Sequence, residues 1–172
     1  MSASEPLAQT LARTVAPPRR RTIRGLDAAR ELAGTELGVT RWYPILQEDV
    51  NRFADVTQDR QWIHVDVERA RRAALGGTIA HGLYTLALGP MFMDEIVEWR
   101  GFSMVLNYGY DRVRFPAPLP VGVGVRMRMT LESVDDAPGG GQVALGQVFE
   151  RQGADRPVCV ARFLVRLIED AS

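Results

Sequence analysis

Two residues in a polar stretch of this chain could act together as an acid–base pair. Asp59 and His64 stand five positions apart in the segment DRQWIH, and His64 is one of only two histidines in the sequence. A loop lets side chains at this spacing meet at one point, where a carboxylate favours the charged imidazole and fixes its tautomer. Such a pair can hold one water molecule and move its proton. A structural or incidental role for the pair is the competing interpretation.

A glycine-containing segment that follows could supply a second part of the same site. The segment GGTIAHG, residues 76–82, leads into the most apolar stretch of the chain. The first N–H groups of a helix have no partner within the helix, and a glycine there lets a ligand approach the backbone closely. The N–H of Gly82 could therefore bind a carbonyl oxygen that gains negative charge. Alternatively, Gly82 only allows close packing, and His81 beside it is interpreted as a hydrogen-bonded core histidine.

The residue types argue against a metal or nucleotide cofactor. His64 and Asp66 in the segment HVD could bind a metal, but too few other ligands are available in the sequence. A nucleotide-binding fingerprint is also absent from the sequence. Cys159 is the only cysteine, and its flanking residues are typical of a strand, so we predict an inert core thiol. We therefore expect no metal and no bound cofactor.

Composition and charge exclude several classes of protein. The chain has 172 residues, 46% of them hydrophobic and 24% charged, with 21 basic and 21 acidic residues. This balance indicates neither a nucleic-acid-binding protein nor a membrane-surface protein. No secretory signal is recognised, and a single cysteine gives no sign of an oxidising compartment, so a cytoplasmic location is expected. Residues 73–93 lack charged side chains, but their glycines and Pro90 favour a buried helix over a membrane span.

The hydrophobic pattern predicts helices in the first half and strands in the second. Residues 1–21 are predicted to be a flexible extension and residues 22–172 a single domain. Predicted elements are a helix over 28–33 capped by Asp27, a strand over 36–45, helices over 47–56 and 66–75, the second capped by Asp66, and a long helix over 79–98. Four strands in a meander follow, over 104–115, 121–134, 143–152 and 158–169. The predicted class is α+β, with an antiparallel sheet wrapped around a long central helix.

Three segments resemble one known family. They are FADVTQDRQWIHVDVERA, then GGTIAHGLYTLAL, and later DRVRFPAPLPVG. Together they resemble the MaoC-type dehydratases, the R-specific enoyl-CoA hydratase branch of the hot-dog superfamily, and especially the subgroup related to nodulation protein N. The resemblance covers about residues 35–168 and implies a hot-dog fold.

The resemblance also implies a reaction and its residues. Asp59 and His64 would hold one water, and the Gly82 N–H would bind the thioester carbonyl. The implied reaction is reversible syn addition of water to a trans-2-enoyl thioester, by a homodimer acting on acyl-CoA or acyl-carrier thioesters. Arg112, Arg114 and Arg126 could contact the CoA phosphates, although they could equally be solvated strand arginines.

Some positions depart from the family pattern, and other functions stay open. Gln58 replaces a glycine and is expected to avoid a positive φ. Trp62 replaces a proline and could reshape the acyl site. Besides a hydratase acting on acyl-CoA, the open alternatives are a dehydratase acting on carrier-bound chains, a non-catalytic acyl-binding subunit and a thioesterase.

Overall fold

The alternating pattern in the second half of the chain forms long strands. The computed structural model describes residues 20–169. Its strands are β1 (Arg21–Arg24), β2 (Thr35–Val39), β3 (Tyr43–Pro44), β4 (Val97–Arg100), β5 (Phe102–Arg114), β6 (Gly124–Ala137), β7 (Gly140–Arg151) and β8 (Cys159–Glu169). Residues 1–19, most of the predicted flexible extension, lie outside the described residues. Arg21, the last residue of the predicted extension, is instead the first residue of β1 and pairs with Val97.

The main sheet has the order β2-β6-β7-β8-β5, and β3 also pairs with β6. All of its pairings are antiparallel, whereas β1 and β4 form a separate parallel pair. The predicted four-strand meander is therefore wrong at one strand, because β5 pairs with β8 and not with β6. The connection between β5 and β6 contains Pro116, Pro118 and Pro120, which are unsuited to a tight hairpin. This proline-rich connection instead runs beside the segment that leads into the central helix, where Ile79 bridges to Pro120.

The helices lie in the first half of the described chain. They are α1 (Gly25–Glu31), α2 (Gln47–Thr57), α3 (Trp62–Val65), α4 (Val67–Arg72), α5 (Gly82–Ala87) and α6 (Gly89–Ile96). No helix among residues 20–169 combines the length and hydrophobicity needed to cross a bilayer.

The central helix is shorter than the prediction over 79–98. It consists of α5 and α6, which are separated at Leu88. Pro90 has no N–H to donate to the preceding turn, which explains the interruption. Residues 97–100 form β4 instead of a last helical turn, because β1 offers that segment a pairing partner.

Of the two predicted helix caps, one was confirmed and the other was wrong. Asp66 caps α4, since its carboxylate accepts the N–H of Arg69 at 2.9 Å. Asp27 does not cap α1; the helix begins at Gly25 and Asp27 lies in its first turn, paired with Arg30. The strand predicted over 36–45 is divided into β2 and β3.

The core lies between the sheet and the central helix. Val125, Met127, Met129 and Leu131 stand at alternate positions of β6 and are each 0% exposed, so they form the inward-facing row of that strand. Phe92 and Ile96 of α6 are buried with them in one hydrophobic cluster. The predicted architecture, an antiparallel sheet around a central helix in an α+β fold, is therefore confirmed. The sheet positions the first turn of α5 against the loop that carries Asp59 and against α3, which carries His64.

Candidate active site

His64 lies on the short helix α3 and not on the predicted loop, and hydrogen bonds hold this helix from two directions. The Gln47 side chain at the start of α2 donates through Nε2 to the His64 carbonyl at 2.7 Å. Its Oε1 accepts from the Thr78 hydroxyl at 2.5 Å. The N–H of Ile79 also donates to the Ile63 carbonyl at 3.0 Å. These bonds join α2, α3 and the segment before α5, so the orientation of His64 is fixed by three parts of the chain.

The hydrogen bonding of His64 defines which of its nitrogens can accept a proton. Nδ1 lies 2.7 Å from the Ile79 carbonyl oxygen. Because a carbonyl can only accept, the hydrogen lies on Nδ1 and Nε2 keeps its lone pair. Burial lowers the pKa of His64 below its ordinary value of 6.5, and the nearby His81 lowers it further, against opposing effects of the Ile79 carbonyl and Asp59. The neutral imidazole is thus available as a base at neutral pH.

The second histidine connects His64 with Asp59. The rings of His64 and His81 are stacked, with centroids 3.8 Å apart and 26° between their planes. His81 Nε2 lies 2.9 Å from the backbone carbonyl oxygen of Asp59, so it donates there. His81 is 3% exposed and its Nδ1 has no hydrogen-bond partner among residues 20–169. It is the hydrogen-bonded buried histidine expected from the sequence, but sequence spacing gave no sign that it holds the Asp59 loop.

The three side chains converge at one place. One carboxylate oxygen of Asp59 and one ring nitrogen from each of His64 and His81 lie within 4.8 Å of one another. Asp59 is exposed and His64 is buried, so the pair sits at the boundary between solvent and interior. Two acceptors at this separation can share one water molecule.

The same three residues are also the best candidates for a metal site. Stacked imidazole rings direct their lone pairs side by side, whereas a transition metal requires them to converge at about 2.0–2.1 Å. Asp66, which could have been a ligand together with His64, is occupied as the cap of α4. The geometry thus suits a shared water better than a metal, and the absence of a cofactor stays a prediction.

The prediction that Gln58 avoids a positive φ was wrong. Its φ is 62° and its ψ is 13°, in the left-handed region, and it is the only non-glycine residue with a positive φ among residues 20–169. Gln58 ends α2, and its side-chain Nε2 donates back to the Asp55 carbonyl at 2.5 Å. This local bond helps Gln58 adopt a conformation that usually requires glycine. The reversal of the chain at Gln58 brings Asp59 towards His64.

A cavity of about 240 Å³ opens beside His64. Its walls come from α3, from the segment before α5, from α5 itself, from the proline-rich connection and from the residue before β8: His64, Ile79, Ala80, Gly82, Thr85, Phe115, Ala117, Pro118, Leu119 and Val158. A Cβ at Gly82 would lie 3.0 Å from the Phe115 ring, so only glycine fits there without moving that ring. Trp62 does not line this cavity; it packs beneath Arg69, whose guanidinium carbon lies 4.3 Å from the ring centroid.

The three arginines singled out from the sequence lie in different surroundings. Arg112 and Arg114 are exposed on β5, and Arg114 immediately precedes Phe115 of the cavity wall. Arg126 is paired with Glu150 at 2.7 Å and lies over the Trp42 ring at 4.5 Å. Arg112 lines a separate groove, together with Asp111 and Arg162. Of the three, Arg114 is nearest in sequence to the cavity.

Cys159 has the surroundings of an inert thiol. It is 0% exposed, and burial raises the pKa of its thiol to about 12. The thiolate needed for nucleophilic chemistry is therefore scarce at neutral pH.

The fold and the site together define a hot-dog protein with a carboxylate–imidazole pair at the start of its central helix. The sequence profile of the MaoC-like domain matches residues 29–150. The 3-hydroxyacyl-thioester dehydratase Z of Mycobacterium tuberculosis is 43% identical over 149 residues, which cover 86% of this chain and 99% of that protein. Nodulation protein N of Rhizobium meliloti is 47% identical over 92 residues, covering 52% of this chain and 57% of that protein.

A solved structure shows the same fold. The unliganded R-hydratase PhaJ1 from Pseudomonas aeruginosa has a TM-score of 0.66 and 20% identity, covering 80% of this chain and 83% of the other. The chain belongs to the MaoC-like dehydratase family and is a hydro-lyase.

Proposed function

We propose that this chain is an (R)-specific enoyl-CoA hydratase, or 3-hydroxyacyl-thioester dehydratase, that adds water reversibly and with syn geometry to trans-2-enoyl thioesters. The observation that carries the proposal is the meeting of the Asp59 carboxylate and the His64 imidazole beside a cavity that Gly82 also lines. The relative from Mycobacterium tuberculosis, named a 3-hydroxyacyl-thioester dehydratase, supports the substrate class.

The hydrogen-bonding state of His64 supports a specific order of proton transfers. The Asp59 carboxylate and the unprotonated Nε2 of His64 both accept hydrogen bonds from one water. These bonds orient the water oxygen towards C3 of the enoyl group. As that oxygen bonds to C3, the π electrons move to the thioester oxygen and one proton of the water passes to Nε2. The resulting imidazolium then returns a proton to C2 as the enolate collapses. His64 therefore acts first as base and then as acid from one side of the double bond, which gives syn addition. The Asp59 carboxylate holds the water and favours the charged imidazolium between the two transfers.

The Gly82 N–H is proposed to bind the thioester oxygen during this reaction. Gly82 begins α5 and has no side chain between its backbone and the cavity. A donor fixed at this position stabilises the enolate charge, and loss of such a donor typically costs about 3 kcal/mol of transition-state stabilisation.

The source of the thioester is a second part of the proposal. We favour acyl-CoA over a carrier-protein thioester because exposed Arg112 and Arg114 lie on β5, which leads to Phe115 of the cavity wall. They can meet the additional phosphates that CoA carries beyond the single phosphate of a carrier-bound phosphopantetheine arm. Arg126 is the weakest of the three candidates, since Glu150 already neutralises it. Hydration of crotonyl-CoA compared with crotonyl-pantetheine on a carrier protein distinguishes the two sources.

The test of the catalytic assignment is hydration of crotonyl-CoA, followed as loss of enoyl absorbance. We expect Asp59→Asn and His64→Gln each to lower kcat/KM at least about a hundredfold, the usual contribution of a positioned acid or base. Asp94→Asn, the same type of change at an exposed position on α6, is the control and should keep the wild-type rate.

Two outcomes would contradict this assignment. Equal activity in all four proteins would remove Asp59 and His64 from the mechanism. Binding of a saturated acyl-CoA without any hydration by the wild type would instead favour a non-catalytic acyl-binding subunit.

A further inference from the structure

One side chain joins the backbone of His64 to the segment that fixes its tautomer. Gln47, the first residue of α2, donates through Nε2 to the His64 carbonyl at 2.7 Å and accepts the Thr78 hydroxyl through Oε1 at 2.5 Å. Thr78 is buried and immediately precedes Ile79, whose carbonyl accepts the Nδ1 hydrogen of His64 at 2.7 Å. The two partners of that imidazole–carbonyl bond stand 15 positions apart in the chain, and Gln47 bridges the segments that carry them.

The partners of the Gln47 amide allow one orientation of that amide. Its second Nε2 hydrogen points to the Asn51 side-chain oxygen at 2.9 Å. A reversed amide would place Oε1 against the His64 carbonyl oxygen, and two acceptors form no hydrogen bond. The Thr78 hydroxyl must therefore donate to Oε1. Both hydrogens and the oxygen of the amide are used, so the side chain is fixed in place.

The two ends of this bridge are attached to the same short segment, residues 121–123. Ile45, two residues before Gln47, exchanges backbone hydrogen bonds of 2.8 and 3.2 Å with this segment. The Thr78 carbonyl accepts an N–H from it at 3.0 Å. Ile45 is also 0% exposed, so the start of α2 and the segment before α5 are held at a fixed separation. The Gln47 side chain extends from this frame to the backbone of His64.

The position of α3 relative to Ile79 decides the tautomer of His64. A neutral imidazole carries its hydrogen on either nitrogen, and the hydrogen bond made by one nitrogen decides which. At His64 this is the bond from Nδ1 to the Ile79 carbonyl. If α3 moves away from Ile79, that bond weakens and the form with the hydrogen on Nε2 becomes populated. In that form Nε2 has no lone pair to accept a proton from water.

We propose that Gln47 is a positioning residue that keeps the hydrogen of His64 on Nδ1 and leaves Nε2 free to act as the base. The inference rests on the proposed function for the role of Nε2, whereas the tautomer is a property of the free protein. Only molecules with an unprotonated Nε2 are competent, so kcat/KM should fall in proportion to their fraction.

The tautomer can be measured because the chain has only two histidines. Protein labelled with ¹⁵N-histidine gives one pair of ring-nitrogen resonances from each of them in NMR spectra. His81→Phe leaves a single pair and therefore assigns the resonances of His64. For the wild type at pH values well above 6.5, we expect a protonated Nδ1 and an unprotonated Nε2.

Gln47→Met keeps the length of the side chain but removes the amide. We expect its His64 resonances to show a mixture of tautomers. Its kcat/KM for crotonyl-CoA should fall about fivefold to tenfold through kcat, the value of about one hydrogen bond, with little change in KM. Gln142→Met, the same substitution on β7 opposite Asp135, is the matched control and should leave both the resonances and the rate unchanged.

Thr78→Val tests the other end of the bridge, because it removes only the hydroxyl. It should shift the tautomer in the same direction as Gln47→Met but less far. In the variant that carries both changes, kcat/KM should equal that of Gln47→Met alone, since both act on one bridge. If Gln47→Met does not fold, the tautomer of Thr78→Val decides the question.

An unchanged tautomer in Gln47→Met would overturn the inference even if its activity falls, because general damage to the fold also lowers a rate. Full additivity of the two substitutions would overturn it as well. The resonances are recorded without substrate, so they are independent of hydration. A wild type that shows the Gln47-dependent tautomer but does not hydrate crotonyl-CoA would contradict the proposed reaction and not the control of the tautomer. Intact hydration with an unchanged tautomer in Gln47→Met would contradict only the role of Gln47.

Discussion

At the scale of single residues, the site depends on a histidine held in one tautomer. The Ile79 carbonyl fixes the hydrogen on Nδ1 of His64, and burial keeps the ring neutral by lowering its pKa. Asp59 lies on the solvent side of the pair, and the His81 ring stacks on the ring of His64. Each contact comes from a different segment, so the pair exists only in the folded chain.

The lowered pKa of His64 predicts the acid limb of the pH profile. Protonation of Nε2 removes the lone pair that accepts the water proton, so hydration is fully present above the pKa of His64 and is lost as the pH falls through it. Because that pKa lies below 6.5, the midpoint of the acid limb of kcat/KM for crotonyl-CoA should lie below pH 6.5. Initial rates across this limb provide the measurement, and a midpoint above 6.5 would contradict the neutral-base mechanism.

His81 is expected to act as a positioning residue. His81→Phe keeps an aromatic ring against His64 but removes the donor to the Asp59 carbonyl, so the loop that carries the carboxylate loses one hydrogen bond. We expect kcat to fall about fivefold to tenfold, the value of one hydrogen bond, with little change in KM. His81→Asn, the conservative variant, restores a donor. Steady-state kinetics should therefore give it a kcat between those of His81→Phe and the wild type. A rise in KM without a fall in kcat would contradict a positioning role.

At the scale of elements, the turn from α2 into the Asp59 loop contains stored strain. Gln58 occupies the left-handed region, which costs a residue with a Cβ about 1–2 kcal/mol. The bond from its side chain to the Asp55 carbonyl offsets part of this cost. Non-glycine residues held in this way often occur next to functional sites.

Replacement of Gln58 tests this strain directly. The free energy of unfolding of Gln58→Gly should be about 1 kcal/mol higher than that of Gln58→Ala. Both variants lose the side-chain hydrogen bond, but only alanine keeps a Cβ in the left-handed region. Urea denaturation measures the difference. Equal stability of the two variants would show that the backbone at this position is not strained.

At the scale of the whole molecule, one edge of the main sheet is long and is not covered by any part of residues 20–169. β5 forms that edge over 13 residues, and its exposed side chains include Met104, Leu106 and Tyr108. A long apolar edge strand readily pairs with another chain. The homodimer implied by the family resemblance would cover this edge, and it stays a prediction.

The expected assembly is a dimer of about twice the chain mass of 19.1 kDa. Leu106→Lys places a charge on the β5 edge and should shift the protein towards monomer, because such charges oppose edge-to-edge pairing. Val56→Lys, at an exposed apolar residue on α2, is the control and should leave the mass unchanged. Light scattering after gel filtration gives the masses, and a monomeric wild type would rule out this interface.

Much of the fold could be predicted because its signals are local. The alternation from Val125 to Leu131, the apolar face of α2 at Val50 and Ala54, and the Asp66 cap all follow from side chains a few residues apart. The position of β5 could not be predicted, since its pairing with β8 depends on where the proline-rich connection runs. The end of the central helix at Ile96 also depends on a partner, β1, from a distant part of the chain.

The sequence by itself determined the class of fold, the inward-facing residues of the sheet and the candidates Asp59, His64 and Gly82, because spacing and residue type carry that information. Only the tertiary structure decided that His81 joins Asp59 to His64 and that Gln58 adopts a left-handed turn. These features arise from contacts between segments separated by many residues. Local propensities contain no information about such contacts until packing of the core fixes the distances between those segments.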